Sequence, residues 1–267
     1  MGACGSSAKK TEAESTTTAA TIPLTGAAQQ AVDDYRDYIR EQASTLVTET
    51  QRFADAVKAG NIEAAKQLFP VARAPYERIE PVAEAFGDLD PQIDARDGDV
   101  PADEWGGFHK IEQALWEKNT TADMGAVADK LVADVKKLDA AIPKFELTPE
   151  GVANGAVELL NEVGTSKVTG EEDRYSHTDL YDFEANVEGA REALKVVTPI
   201  IAKKNAELAP QLNKEFAAVL TSLAKYKTGD TYKPYTDLTD ADTKALGTQV
   251  DALADKLSAV PPLVVNS

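Results

Sequence analysis

From Ala27 to Ala59, the apolar residues Val32, Tyr35, Ile39, Ala43, Leu46, Phe53 and Val57 recur at steps of three and four. That period lays one apolar stripe along a long helix and is incompatible with a strand, whose faces alternate every residue. The same period governs most of the remaining chain. No segment alternates apolar and polar residues between turn signals, so an all-α protein is expected.

Glycine, proline and capping residues set the helix boundaries. Gly60-Asn61 ends the first helix, and a second is expected from Ile62 to about Phe86. Pro81 lies inside it, lacks an N–H and collides with the carbonyl of Glu77, so a kink is expected there. Gly87 to Asp103 reads as an ordered, turn-rich acidic loop. Further helices are expected up to Lys118, over Asp123–Ile142, from Thr148-Pro149 to Val163, from Thr178 to Leu208, from Pro210 to Lys227, and from Thr239 to Ala259. Eight helices with short connections predict a bilobed pair of antiparallel four-helix bundles packed side by side. The bundles are expected at 26–145 and 146–267.

At 28.5 kDa the chain can bury a substantial core, and it has no apolar run long enough to span a bilayer. Its net charge of −17 argues against nucleic acid and anionic membrane surfaces, and suits a protein that attracts cations. Residues 1–25 are rich in Ser, Thr, Ala, Lys and Glu and read as a disordered tether. The single cysteine lies in Gly2-Ala3-Cys4-Gly5-Ser6-Ser7, which resembles the end of a bacterial lipoprotein signal. Lipidation at Cys4 would hold the protein outside the cytoplasmic membrane.

The chemistry gathers at three places. His109, one of two histidines, stands three residues before Glu112 in Gly107-Phe108-His109-Lys110-Ile111-Glu112. On a helix the two share a face, so the pair can bind a metal or act as a base with its orienting partner. Upstream, Glu77, Glu80 and Glu84 form a stripe with Asp88, Asp90, Asp94 and Asp97 beyond it. Taken alone the stripe is expected to be a solvated face, with Arg73 and Arg78 near enough to neutralise it. Downstream lie Glu171, Glu172, His177, Asp179 and Asp182. Helix capping explains the aspartates, with Ser176 or Thr178 as cap, but leaves Glu171, Glu172 and His177 unexplained. One motif imidazole among carboxylates suits iron, manganese, zinc or copper. It differs from the two-histidine zinc-protease motif, and no phosphate loop, nucleophile elbow or catalytic cysteine accompanies it.

Together these segments resemble the imelysin-like family, and more closely its EfeO/EfeM iron-uptake branch. The resemblance rests on Gly107 to Glu112 followed by Ala114-Leu115-Trp116, and on Pro75-Tyr76-Glu77-Arg78-Ile79-Glu80-Pro81 with Asp88-Leu89-Asp90 and Ile93-Asp94. Its third part is Thr165-Ser166-Lys167, Thr169-Gly170-Glu171-Glu172 and Tyr175-Ser176-His177-Thr178-Asp179-Leu180. It implies metal ligands at Glu77, Glu80, Asp94, His109, Glu112 and Glu172, with Glu171, His177 and Asp179 as secondary candidates. It implies a monomer that binds iron (Fe3+ or Fe2+, with zinc or copper as other occupants) in a cleft between the bundles. The implied partners are an iron permease and a haem peroxidase. Many EfeO proteins carry an N-terminal cupredoxin domain, and this chain resembles the form without one. Two other functions compete: a metallopeptidase using the His-x-x-Glu pair, and a metal-dependent glycan-binding protein.

Overall fold

The structure is a computed structural model that describes residues 24 and 26–265. Cys4 and the expected tether, apart from Leu24, lie outside the described residues. The long periodic segment forms α1 (Ala27–Lys58), about 48 Å of helix at 1.5 Å per residue. Its stripe from Val32 to Val57 is buried throughout. After the Gly60-Asn61 turn, Asn61 caps α2 (Ile62–Glu77) by accepting a hydrogen bond from the Ala64 N–H. There follow α3 (Glu80–Glu84), α4 (Leu89–Asp94), α5 (Gly107–Trp116) and α6 (Gly125–Ala141). The second half comprises α7 (Pro149–Thr165), α8 (Asp179–Ile201), α9 (Leu208–Ala224), α10 (Asp240–Leu257) and the short α11 (Pro261–Val264).

The protein is all-α, as the periodicity predicts. α1, α2, α5 and α6 pack together, and so do α7, α8, α9 and α10, the two sets lying side by side. One hydrophobic core runs through both, because α8 packs against α1 and α2. Phe53, Phe69 and Phe108 meet at ring-centroid distances of 5.9–6.3 Å. Burying each contributes about 1.5–3 kcal/mol, and the cluster forms the apolar wall behind His109.

Four expectations need correction. The segment from Ile62 to Phe86 is two helices rather than one kinked helix, and the acidic loop contains α4. The helix starting at Asp179 ends at Ile201, where a turn leads into α9 two residues before Pro210. A small antiparallel hairpin, β1 (Lys227–Thr228) and β2 (Thr231–Tyr232), occupies the expected Lys/Thr/Tyr/Pro loop.

Candidate metal centre

The break between α2 and α3 places the first two carboxylates. Pro81 has no N–H to give the Glu77 carbonyl, and the helix stops there. The Asn186 amide on α8 donates to that carbonyl at 2.8 Å in its place. The next carbonyl, of Arg78, rests on Gly189, where a Cβ would approach it to 2.3 Å. Arg78 also donates to Glu188 at 3.0 and 2.8 Å. Seated on α8 in this way, the break turns Glu77 and Glu80 into the interior, and both are buried. The expectation of a solvated stripe is therefore overturned for Glu77 and Glu80, while Glu84 stays exposed.

The glycine of the Gly-x-His motif has a geometric task. Gly107 opens α5 with φ +71°, and a Cβ there would lie 2.2 Å from the Ile93 carbonyl oxygen. Only a bare Cα lets the end of α4, with Asp94, abut the start of α5, with His109. Gly107→Ala is expected to cost about 2 kcal/mol or more and to weaken metal binding by moving Asp94. Urea unfolding and metal titration of the variant check both effects, and unchanged stability would remove this account of the motif.

His109 and Glu112 meet as their spacing predicts. The Nδ1 atom of His109 lies 2.9 Å from one Glu112 oxygen. The other Glu112 oxygen accepts from the Tyr175 N–H at 3.0 Å and from the Ser176 N–H and hydroxyl at 2.8 Å each. Both Glu112 oxygens thus have hydrogen-bond partners of their own. Glu112 holds the imidazole so that Nε2 faces the remaining acids, 3.6 Å from both Asp94 and Glu172.

From the second half of the chain come Lys167, Glu172, Asp173, Asp179 and Asp182. Gly170, at φ +76°, turns the chain after a short 3-10 turn. Glu172 faces inward, while Glu171 is exposed and pairs with Arg174 at 3.4 Å. His177 takes a left-handed backbone with φ +57°, its N–H bonded to the Asp173 carbonyl. Its side chain belongs to none of the potential metal-holding groups among the described residues. Asp179 accepts from the Asp173 N–H, and the Thr178 hydroxyl donates to Asp173 instead of capping α8. The reading of Asp179 and Asp182 as simple complements of the helix dipole is therefore incomplete, since both are buried in this cluster.

At its centre stands Arg73, 0 % exposed. Its guanidinium donates to Asp94, Glu77 and Glu172, and one of its nitrogens lies 3.0 Å from His109 Nε2. Its Nε sits 3.5 Å from Asp173 and 3.6 Å from Asp182. Lys167, also 0 % exposed, donates to Glu77 and to Glu80, the latter at 2.8 Å. Carboxylates outnumber these cations, and their pKa values record the surplus. Burial raises Asp94 to about 7 against the pull of Arg73 and His109. Burial and neighbouring acids raise Asp179 to about 7, and burial raises Asp173 to about 6 against Arg73. Burial and Glu77 push Glu80 well up. Burial and Arg73 alone would lower His109, but Glu112, Glu172 and Asp94 outweigh them and lift it to about 10. Glu172 is held well below its ordinary value, since Lys167, His109 and Arg73 overcome the effect of burial.

Three overlapping groups could each hold an ion: Asp94, His109 and Glu172; Glu77, Glu80 and Asp94; and His109, Glu112 and Asp173. Glu80, Asp94 and Glu172 also line a cavity of about 150 Å³ that opens past Glu84, Asp90, Asp99 and Glu162. It has room for about five waters, enough for a partly dehydrated ion. The acids therefore lie at the seam of the two helix sets, buried beside a cavity that opens to solvent. The sequence reading did not assign Lys167, Asp173, Asn186 or Glu162 to this site. It met Arg73 only as a nearby neutraliser, although the Arg73–Glu77 spacing of four on α2 was a usable signal.

The imelysin family model, Peptidase_M75, matches residues 31–260. The iron uptake system component EfeM of Pseudomonas syringae pv. syringae (strain B728a) is 45% identical over 86% of this chain and 82% of its own length. An Efem/EfeO family lipoprotein of Staphylococcus haemolyticus (strain JCSC1435) matches at the same identity and the same shares. The iron uptake system component EfeO of Escherichia coli (strain K12) is 46% identical over 85% of this chain, which spans 62% of that protein. A family match along almost the whole helical region, joined to this identity over most of both chains, establishes that the protein belongs to the imelysin family, in its EfeM/EfeO group.

Proposed function

We propose that the protein is an extracytoplasmic iron-binding component of an uptake system, taking its cargo ion into the buried acidic chamber. Glu77, Glu80, Asp94 and Glu172 supply oxygens, His109 supplies Nε2, and Glu112 fixes the imidazole. The observation that carries this reading is a surplus of buried carboxylates around one oriented imidazole, reached through an acidic opening. The names of its relatives as iron uptake components support the choice of cargo. Oxygen-rich ligation favours hard ferric ion, while the imidazole also accommodates ferrous ion, zinc or copper. A lipid anchor at Cys4 belongs to the same reading, supported by the relative named a lipoprotein. Fractionation of Cys4→Ser away from membranes tests it. No helix of the described residues is long and apolar enough to cross a membrane. Hand-over to an iron permease, with a haem peroxidase beside it, completes the proposal.

A peptidase reading draws on the His-x-x-Glu pair and on the family's name. A zinc hydrolase needs about three ligands, an open water position and a free carboxylate base. Here Glu112 is bonded to His109, Tyr175 and Ser176, and Arg73 and Lys167 hold the other acids. A glycan reading fares no better. The larger cavity beside Trp105, about 670 Å³, is lined by Asp88, Asp103 and Glu104 against one Lys130, and Trp105 is too buried to offer a stacking face.

Calorimetric titration with ferrous iron under anaerobic conditions tests the proposal. A saturable site tighter than about 1 μM is expected. Binding must strip the Nε2 proton from His109, and a proton from Asp94 below its pKa of about 7. Repeating the titration in buffers of different ionisation enthalpy should therefore show protons released on binding, and more of them near pH 6 than at pH 8. Affinity accordingly falls on acidification. The absence of a saturable site, or affinity that rises toward acid, would end this reading.

A further inference from the structure

We propose that Lys167 is a tethered competitor of the cargo, an internal cation that holds the acids while the chamber is free and moves aside when an ion arrives. This rests on the metal-site reading above and adds to it the residue that sets how strongly an ion must bind. The lysine is fully buried and sits on the 3-10 turn Lys167–Thr169. Its turn is pinned from outside: a Cβ on Gly170 would press to 2.7 Å on the Tyr235 ring, and the Tyr235 hydroxyl donates to the Val168 carbonyl. The ammonium donates to Glu77 and Glu80, two members of a group able to hold an ion. A metal cannot take both carboxylates while the ammonium keeps them.

The lysine also has somewhere to go. Glu162, half-buried on α7 and lining the opening, lies 3.8 Å from the same Nζ. A small movement toward Glu162 frees Glu77 and Glu80 and keeps the charge paired. Asn186, which donates to both acids at 3.2 Å, steadies them during the exchange. Arg73 bonds Glu77, Asp94 and Glu172 and faces Asp173 and Asp182, whereas Lys167 bonds closely only to Glu77 and Glu80, with Glu162 farther off. An ion displaces Lys167 only if it binds carboxylates more strongly than a neighbouring ammonium does. That requirement sets a threshold that small, highly charged or nitrogen-seeking ions pass and that the larger calcium ion does not. The same ammonium, returning, helps release the cargo.

The test compares wild type with Lys167→Met, Lys167→Gln and Lys167→Arg, each titrated at pH 8 with zinc and with calcium and melted with and without zinc. Both neutral variants should bind zinc about tenfold tighter or more, and calcium binding should become measurable. Lys167→Arg, which keeps the charge, should bind no tighter than wild type. Without metal the neutral variants should melt lower than wild type, and saturating zinc should restore them, because zinc replaces the missing cation. A merely structural lysine would lower melting equally with and without zinc. If the neutral variants fold only when zinc is added, that rescue carries the same meaning, and failure of zinc to rescue them overturns the proposal. A folded neutral variant that binds zinc no tighter than wild type also overturns it, whereas a wild type that binds no metal strikes the parent reading instead.

Discussion

Arg73→Met is expected to lower the stability of the metal-free protein by about 3–5 kcal/mol, the cost of leaving buried charges without their partner. For a chain of this size that is a fall in melting temperature of roughly 10 °C or more. The guanidinium donates to Glu77, Asp94 and Glu172 and faces Asp173 and Asp182, so its loss strands acids from both helix sets. The loss should also depend on pH in a defined direction. Asp94, Asp173 and Asp179 have folded-state pKa values of about 7, 6 and 7, above the ordinary aspartate value. A carboxylate raised in this way binds protons more readily when folded, so stability falls as pH rises from about 4 to 7. Without Arg73, Asp94 and Asp173 rise further, and the variant should be closer to wild type at pH 5.5 than at pH 8. Urea unfolding at both pH values checks this. A loss below about 1 kcal/mol, or one that is larger at pH 5.5, would show that the cluster is not balanced as described.

His109→Ala should weaken metal binding more than any other single ligand change. Altering only the hydrogen-bond partner of a ligating imidazole costs roughly 10–100-fold in affinity, and removing the imidazole costs more. The geometry separates the two members of the motif. Glu112→Gln should fall within that 10–100-fold range, because the amide still occupies the space but no longer fixes the ring as an anion does. Metal titration of the two variants decides the matter. Equal losses would place Glu112 among the direct ligands, against the hydrogen bonds that occupy both of its oxygens.

The parts of this protein that were legible in its sequence depend on neighbouring residues. Thr148 caps α7 by accepting from the Gly151 N–H, and Thr239 forms a capping box with Asp242 at α10, where both threonines were read as caps. The apolar stripe of α1 is the core face it was expected to be. The parts that were not legible depend on distant ones. Pro81 announced trouble at the Glu77 carbonyl, but whether that meant a kink or a break was settled by Asn186 and Gly189 on α8. Glu171 and Glu172 are adjacent and alike, and the left-handed turn at Gly170 decides which one is buried. Arg73 and Lys167 look like ordinary surface charges in sequence. Only the packing of two helix sets around them reveals that they sit at 0 % exposure among the acids. Asp173 and Asp182 were hidden for a related reason, since aspartates near a helix start have a sufficient local explanation.

The shared role of Asp94 ties the electrostatics to the chemistry. It belongs both to the group with His109 and Glu172 and to the group with Glu77 and Glu80. It also lines the opening and bonds to Arg73. An ion centred near Asp94 can therefore draw on both groups, and in doing so must rearrange the contacts of both internal cations. The central claim is that this chamber is where iron binds. Anomalous scattering at the iron absorption edge, from a crystal soaked in iron, tests it most directly. The expected result is a peak inside the chamber, about 2.0–2.2 Å from an Asp94 oxygen and from His109 Nε2, distances like those of other first-row metals with such ligands, with the Lys167 ammonium displaced toward Glu162. A peak only on exposed carboxylates, or none while Arg73 and Lys167 keep their present partners, would contradict it.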